Sequence, residues 1–276
     1  KQMKWTGSCI QCRSWNSFIE RAAPVLKQTR IQSLSTSSKP VLLKDLNACQ
    51  YKRIPSGFKE FDSLLGGGVV PGSLFLLGGD PGIGKSTLLL QISEQFANKG
   101  KKVLYISGEE SQEQIYHRAE RLKISSDRLF IYNETVFSTI KKEIDRIKPD
   151  VMIVDSVQIL FKSELPSAPG SIVQVKEIAT EFMHIAKGLG IITFLIGHVT
   201  KSGDLAGPRV LEHLVDVVFE FEGDKQHGFR ILRSIKNRFG PTDDLVLFQM
   251  QETGLKEIQN PSVAFLQERK NDIPGS

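Results

Sequence analysis

The chain has 276 residues, 40% hydrophobic and 24% charged, a balance that supports a sizeable buried core and frames one to two domains. No apolar run reaches 18 residues, which excludes a membrane-spanning helix, and three cysteines are too few for a disulfide scaffold. The net charge of +5 is uneven: residues 1–60 carry eleven Lys/Arg against three Asp/Glu, or +8, and residues 61–276 sum to −3. A basic end on a near-neutral body suggests an anionic partner, although an unstructured tail gives the same count.

Residues 1–26 hold Trp5, Trp15, Phe18 and the C-x-x-C of Cys9 and Cys12. Outside a βαβ pattern such a pair reads as half of a zinc site rather than as a redox couple. Zinc takes four ligands, and the nearest histidine, His117, lies more than 100 residues on. A second ligand pair is therefore expected upstream of Lys1, and the Zn²⁺ site is incomplete as it stands. Residues 27–50 begin with the polar, Ser-rich KQTRIQSLSTSSKP, which has no hydrophobic period and reads as a flexible linker; Cys49 stands alone. Without a secretory leader the expected compartment is reducing, either bacterial cytoplasm or an organelle matrix.

Residues 51–276 form the expected α/β domain. Apolar runs at 73–78, 102–107, 128–132, 151–155 and 191–197 alternate with helical patterns near 84–98, 111–123, 136–148 and 171–189. That alternation predicts a mostly parallel sheet flanked by helices on both faces. After residue 214 the close-set runs VVFEFEG, GFRILRSIKNRFG and DLVLFQM predict antiparallel strands finishing the sheet.

Between the first strand and the first long helix runs Gly79-Asp80-Pro81-Gly82-Ile83-Gly84-Lys85-Ser86, followed by Thr87. It fits the phosphate-loop pattern in the strand–loop–helix context the pattern requires. Its backbone N–H groups are expected to wrap a β-phosphate, Lys85 to reach the β- and γ-phosphates, and Ser86 to ligate Mg²⁺. VMIVD ends in Asp155. Buried strands often end in Asp as a helix cap, but behind a phosphate loop the carboxylate is expected to complete the Mg²⁺ shell. Glu109 and Glu110 follow the second strand, and one of them, Glu109 by preference, is expected to polarise the attacking water; acids that merely complement a helix dipole are the alternative. Tyr116 and Arg118 are planar groups that can stack on adenine or serve the helix alone.

The segments GGDPGIGKSTLLLQ, YISGEES, APGSIVQVKE, GHVTKSGDLAGPRVLEHLVD and KNRFG, with W-x-G-x-C-x-x-C-x-x-W-N-S at the start, resemble the bacterial RadA (Sms) DNA repair family. The first zinc Cys pair of that family and its C-terminal Lon-protease-like domain are missing from these residues. The resemblance implies a RecA-type ATPase core that forms hexameric rings, moves on single-stranded DNA and promotes branch migration of recombination intermediates, with a RecA-type recombinase as a further partner. It also implies that Lys236 and Arg238, two apart on a strand and so on one face, act as fingers on a neighbour's γ-phosphate; spacing alone equally suits a solvated basic edge. His198, at the end of IITFLIGH, is implied as a γ-phosphate sensor.

The loop after His198, with Lys201 and Arg209, and the loop 162–171, with Lys162, are assigned to DNA. They lack aromatic residues, so contact with the phosphate backbone, salt-dependent and weakly sequence-selective, is expected. The leading function is a DNA-dependent ATPase motor of recombination and repair using ATP and Mg²⁺, with Zn²⁺ only if the second Cys pair exists. The alternative is a RecA-fold switch that regulates protein assembly without DNA. A small-molecule kinase is disfavoured because no acceptor pocket with a base is evident.

Overall fold

Strand patterning sets the sheet. In the computed structural model β1 (Leu74–Gly79), β2 (Val103–Ser107), β4 (Val151–Asp155) and β5 (Ile192–Ile196) are buried at every residue, as strands covered on both faces must be. With β3 (Leu129–Asn133) and β6 (Val217–Gly223) they form the parallel part, in the order β3-β2-β4-β5-β1-β6. β7 (Phe229–Asn237), β8 (Leu245–Gln251) and β9 (Gly254–Glu257) continue it antiparallel. The described residues are 52–197, 208–223 and 228–259, with Trp15 and Leu42. The chain divides into two compact units, Lys1–Val41 and Leu42–Ser276, and every helix and strand named here belongs to the second.

Side chains alternate across the sheet with period two. Phe75 and Leu77 of β1 pack with Phe61 of α1 (Lys59–Leu64), Leu88 and Phe96 of α2 (Lys85–Asn98) and Ile115 of α3 (Gln112–Arg121). Leu74 and Leu76 face the other way, onto Ile140 of α4 (Phe137–Ile147), Ile178 and Phe182 of α5 (Ile172–Leu189) and Leu211 of α6 (Pro208–Leu211). Phe75 stacks on Phe194 of β5 with ring centroids 4.5 Å apart.

The expected α/β architecture is present, with local differences. β6 was expected among the antiparallel strands; it runs parallel to β1, because the chain returns to the same end of the sheet and the Asp216 N–H donates to Leu74 O at 2.9 Å. α1 and β9 have too short a period to read from sequence, and each supports the other. The α1 N-cap, Phe58, has no capping side chain, and Glu257 of β9 accepts the Phe61 N–H at 2.8 Å instead. Burial pushes the Glu257 carboxyl above the usual carboxylate range, against the backbone N–H groups of Phe61, Glu60 and Lys59 that favour its charged form. By contrast α3 starts on a local signal, a capping box between Ser111 and Gln114.

Candidate nucleotide-binding site

The C-terminal end of β1 runs into the phosphate loop at Gly79, where φ is +148°. A Cβ there would lie 2.3 Å from Phe221 O on β6, so only glycine lets the two backbones approach. Gly84 caps α2 in the left-handed region, φ +117°, with no capping side chain; the first N–H groups of α2 are thus left for an anion. Lys85 is buried at the start of α2 and donates from Nζ to Gly79 O and Asp80 O, both at 2.8 Å. Burial lowers its pKa, against the carboxylates of Asp155, Glu109 and Asp80 that favour the ammonium. Asp80, Pro81 and Gly82 are exposed, Ile83, Gly84 and Ser86 half-buried, and Thr87 buried.

β4 delivers Asp155 beside this loop, 3% exposed and level with Ser107 of β2. Its Oδ2 accepts the Tyr105 hydroxyl at 2.7 Å. The next residue, Ser156, is fully buried and donates from Oγ to Glu109 Oε1 at 2.5 Å. The structure separates the two glutamates. Glu109 is exposed at the strand end against Ser156, whereas Glu110 is ion-paired with Arg118, its N–H held by Ser107 Oγ at 3.1 Å. Arg118 is thereby turned back to the strand end. Tyr116, 64% exposed, lines a groove of about 450 Å³ with Leu90, Ile115, Ala119 and Ile131.

Lys236 and Arg238 lie at the other end of the sheet. Lys236 pairs with Val218 at the start of β6 and donates from Nζ to Glu212 O at 2.6 Å and Val215 O at 2.8 Å. Arg238 donates from Nη1 to Asp216 Oδ1 at 3.1 Å. The same carboxylate, 2% exposed, takes Lys187 Nζ at 2.5 Å and the Leu74 N–H at 3.0 Å on Oδ2. Burial, with Arg238 beside it, lowers the Lys236 pKa, against Asp216 and Glu212. Both cations therefore turn to one polar cluster, although β7 ends at Asn237 and Arg238 lies just past the strand rather than on its face with Lys236.

Lys162 is not a free cation. It pairs with Glu181 at 2.8 Å and lies 5.9 Å from the Phe137 ring centroid. The buried Gln174 ties its loop down, accepting the Lys162 N–H at 2.9 Å and donating to Ser167 O at 2.9 Å. Cys9, Cys12, Cys49, His198, Lys201 and the Arg209 side chain lie outside the described residues. Among the described residues no cluster of three metal-ligating side chains occurs, and no helix is long and apolar enough to cross a membrane.

A family model described as an AAA domain matches residues 40–204. The chain belongs to the AAA-domain family. The DNA repair protein RadA of Chlamydia trachomatis serovar D is 53% identical over 274 residues, 99% of this chain and 60% of that protein. The DNA repair protein RadA of Streptococcus pyogenes serotype M6 is 51% identical over the same length and shares. The RadA resemblance thus holds over nearly all the residues given, and the chain spans about 60% of the length of these relatives. The KaiC-like protein PH0186 of Pyrococcus horikoshii OT3 superposes with a TM-score of 0.63 at 19% identity, covering 75% of this chain and 99% of that one; the shared feature is the RecA-like P-loop fold.

In this AAA-domain chain the residues present fit Mg²⁺ and ATP. A bare helix start, a lysine among backbone carbonyls, a half-buried serine and a fixed carboxylate are the donor set a nucleotide triphosphate with its metal needs. Sequence reading missed three supporting residues. Ser156 carries a faint signal, a hydroxyl directly after the strand-end Asp. Tyr105 carries none, since it sits in an apolar run. Asp216, the acceptor for Arg238 at the other end of the sheet, carries none either.

Proposed function

We propose that the chain is the motor core of a DNA-stimulated ATPase of recombination and repair, which assembles as a ring and drives branch migration on single-stranded DNA. The observation carrying the hydrolytic part is that Asp155 and Glu109 both stand at the phosphate-loop end of the sheet, each carboxylate held by a hydroxyl. Lys85 and the α2 N-terminus hold the phosphates, and Ser86 and Asp155 hold the metal. When bound, Mg²⁺ neutralises charge building on the β- and γ-oxygens. Glu109 draws a proton from the attacking water; Ser156 sets the direction of that carboxylate.

Oligomeric action is supported by where Lys236 and Arg238 stand. Arg238 is tied to Asp216 at the start of β1, and β1 runs roughly 16 Å from there to Gly79 at ~3.3 Å per residue. An arginine side chain does not bridge that span within one subunit, so a finger role requires a neighbour. His198 as γ-phosphate sensor and Lys201, Arg209 and Lys162 as DNA contacts rest on the RadA resemblance, as does the association with DNA itself. A zinc module at Cys9 and Cys12 completed by an upstream pair rests there too.

Three experiments test the reading. Glu109→Gln is expected to lower the hydrolysis rate by at least about 100-fold and to leave nucleotide binding intact; hydrolysis at the wild-type rate removes the assignment. Mixed Lys85→Ala and Arg238→Ala subunits are expected to recover hydrolysis at shared interfaces, and no recovery counts against fingers. Single-stranded DNA is expected to raise the rate, and the lack of any rise turns the reading to an assembly switch without DNA.

A further inference from the structure

We propose that Tyr105 is a positioning residue for Asp155, fixing the carboxylate in the orientation that presents it to Mg²⁺. The inference deepens the nucleotide-site reading above and rests on it. Tyr105 lies in the middle of β2, level with Ile153, and Asp155 is two residues further along β4. With period two, residues 105 and 107 of β2 and 153 and 155 of β4 lie on one face. The Tyr105 ring therefore runs along the sheet toward the strand ends, and its hydroxyl reaches Asp155 Oδ2 at 2.7 Å.

Packing alone does not call for that hydroxyl. Tyr105 is 1% exposed inside the apolar cluster formed by β1, β2, β4 and α2. Phenylalanine fills the same volume, and a buried hydroxyl costs stability unless it is bonded. Here the bond goes to Asp155, the carboxylate that ends the neighbouring β4. Donation to an ionised carboxylate is among the stronger hydrogen bonds. With Oδ2 held, rotation of the carboxylate about its last bond stops, and the direction of Oδ1 is fixed with it. Groups that orient a metal-binding side chain from behind commonly change metal affinity by about 10–100-fold when removed.

The test is Tyr105→Phe in the chain as given, with Asp155→Asn and the double variant. The readout is the Mg²⁺ concentration at half-maximal binding of a fluorescent ATP analogue. Tyr105→Phe is expected to raise that midpoint about tenfold, while metal-free binding of the analogue stays within about twofold; the unfolding temperature without nucleotide is expected to fall by about 2–10 °C, because Asp155 Oδ2 loses its buried donor. Asp155→Asn is expected to raise it at least as far, and the double variant to match Asp155→Asn alone, since Tyr105 acts only through that carboxylate. An unchanged midpoint for Tyr105→Phe beside a raised one for Asp155→Asn overturns the positioning role and spares the site reading. Additive shifts in the double variant also overturn it. No shift for Asp155→Asn removes the metal-site reading, and the proposal falls with it.

Discussion

Asp216 is the residue whose removal reports most directly on how the two ends of the sheet are built. Its carboxylate, 2% exposed, receives the Leu74 N–H, Lys187 and Arg238. Truncation to alanine leaves the Leu74 N–H buried without that acceptor, at a cost of ~1–3 kcal/mol. Lys187 and Arg238 have side chains 47% and 54% exposed, so they regain water and lose only ~0–1 kcal/mol each. Asp216→Ala is therefore expected to destabilise by ~3 kcal/mol. Asp216→Asn keeps an oxygen for Leu74 and is expected to lose ~1 kcal/mol, mostly the ion pairs. Urea unfolding of both variants with a common slope separates the two contributions. Equal losses for Ala and Asn would mean that the backbone acceptor is irrelevant, and a loss below ~0.5 kcal/mol for Ala would refute the whole assignment.

Glu257 predicts a pH signature. Burial raises its pKa, so the native state holds the proton more tightly than the unfolded chain. The stability this contributes is complete below the unfolded pKa and is lost as pH rises through the higher native one. Glu257→Gln keeps an acceptor for the Phe61 N–H, and its stability relative to wild type should improve from about pH 4 to pH 7; urea midpoints at both ends check the trend. Lys162 is already paired with Glu181, so Lys162→Ala should weaken single-stranded DNA binding less than Lys201→Ala does, read by fluorescence anisotropy at low salt. Gly79→Ala sets a methyl 2.3 Å from Phe221 O, and should cost several kcal/mol of stability or shift the loop enough to abolish nucleotide binding; calorimetric titration with ATP decides between them.

What could be read from the sequence follows the range over which each feature is encoded. The strand–helix alternation and the phosphate loop are local: glycines, lysine and serine fall within eight consecutive residues, and the apolar runs of β1, β2, β4 and β5 each declare burial on both faces. The choice between Glu109 and Glu110 is not local. It depends on Arg118 returning from α3 to take Glu110 and on Ser156 crossing from β4 to hold Glu109. The cap of α1 comes from β9, and the anchor of Arg238 from the residue before β6. Apart from Glu110 with Arg118, only eight residues on, each such pairing exists only once the sheet has brought separate segments into register.

Charge shows the same limit from the other side. Counting placed the basic excess in residues 1–60, yet Lys85, Lys236 and Arg238 stand in a body of net −3. Lys162, assigned to a DNA-contacting loop, is paired with Glu181 on α5. A charge total records how many ions a segment carries, whereas anion binding depends on which ions the fold leaves unpaired. The fold pairs Lys162 and Arg238 with carboxylates and gives Lys85 only backbone carbonyls in hydrogen bond. Of these three cations, Lys85 is therefore the one that makes no ion pair an incoming anion would have to break.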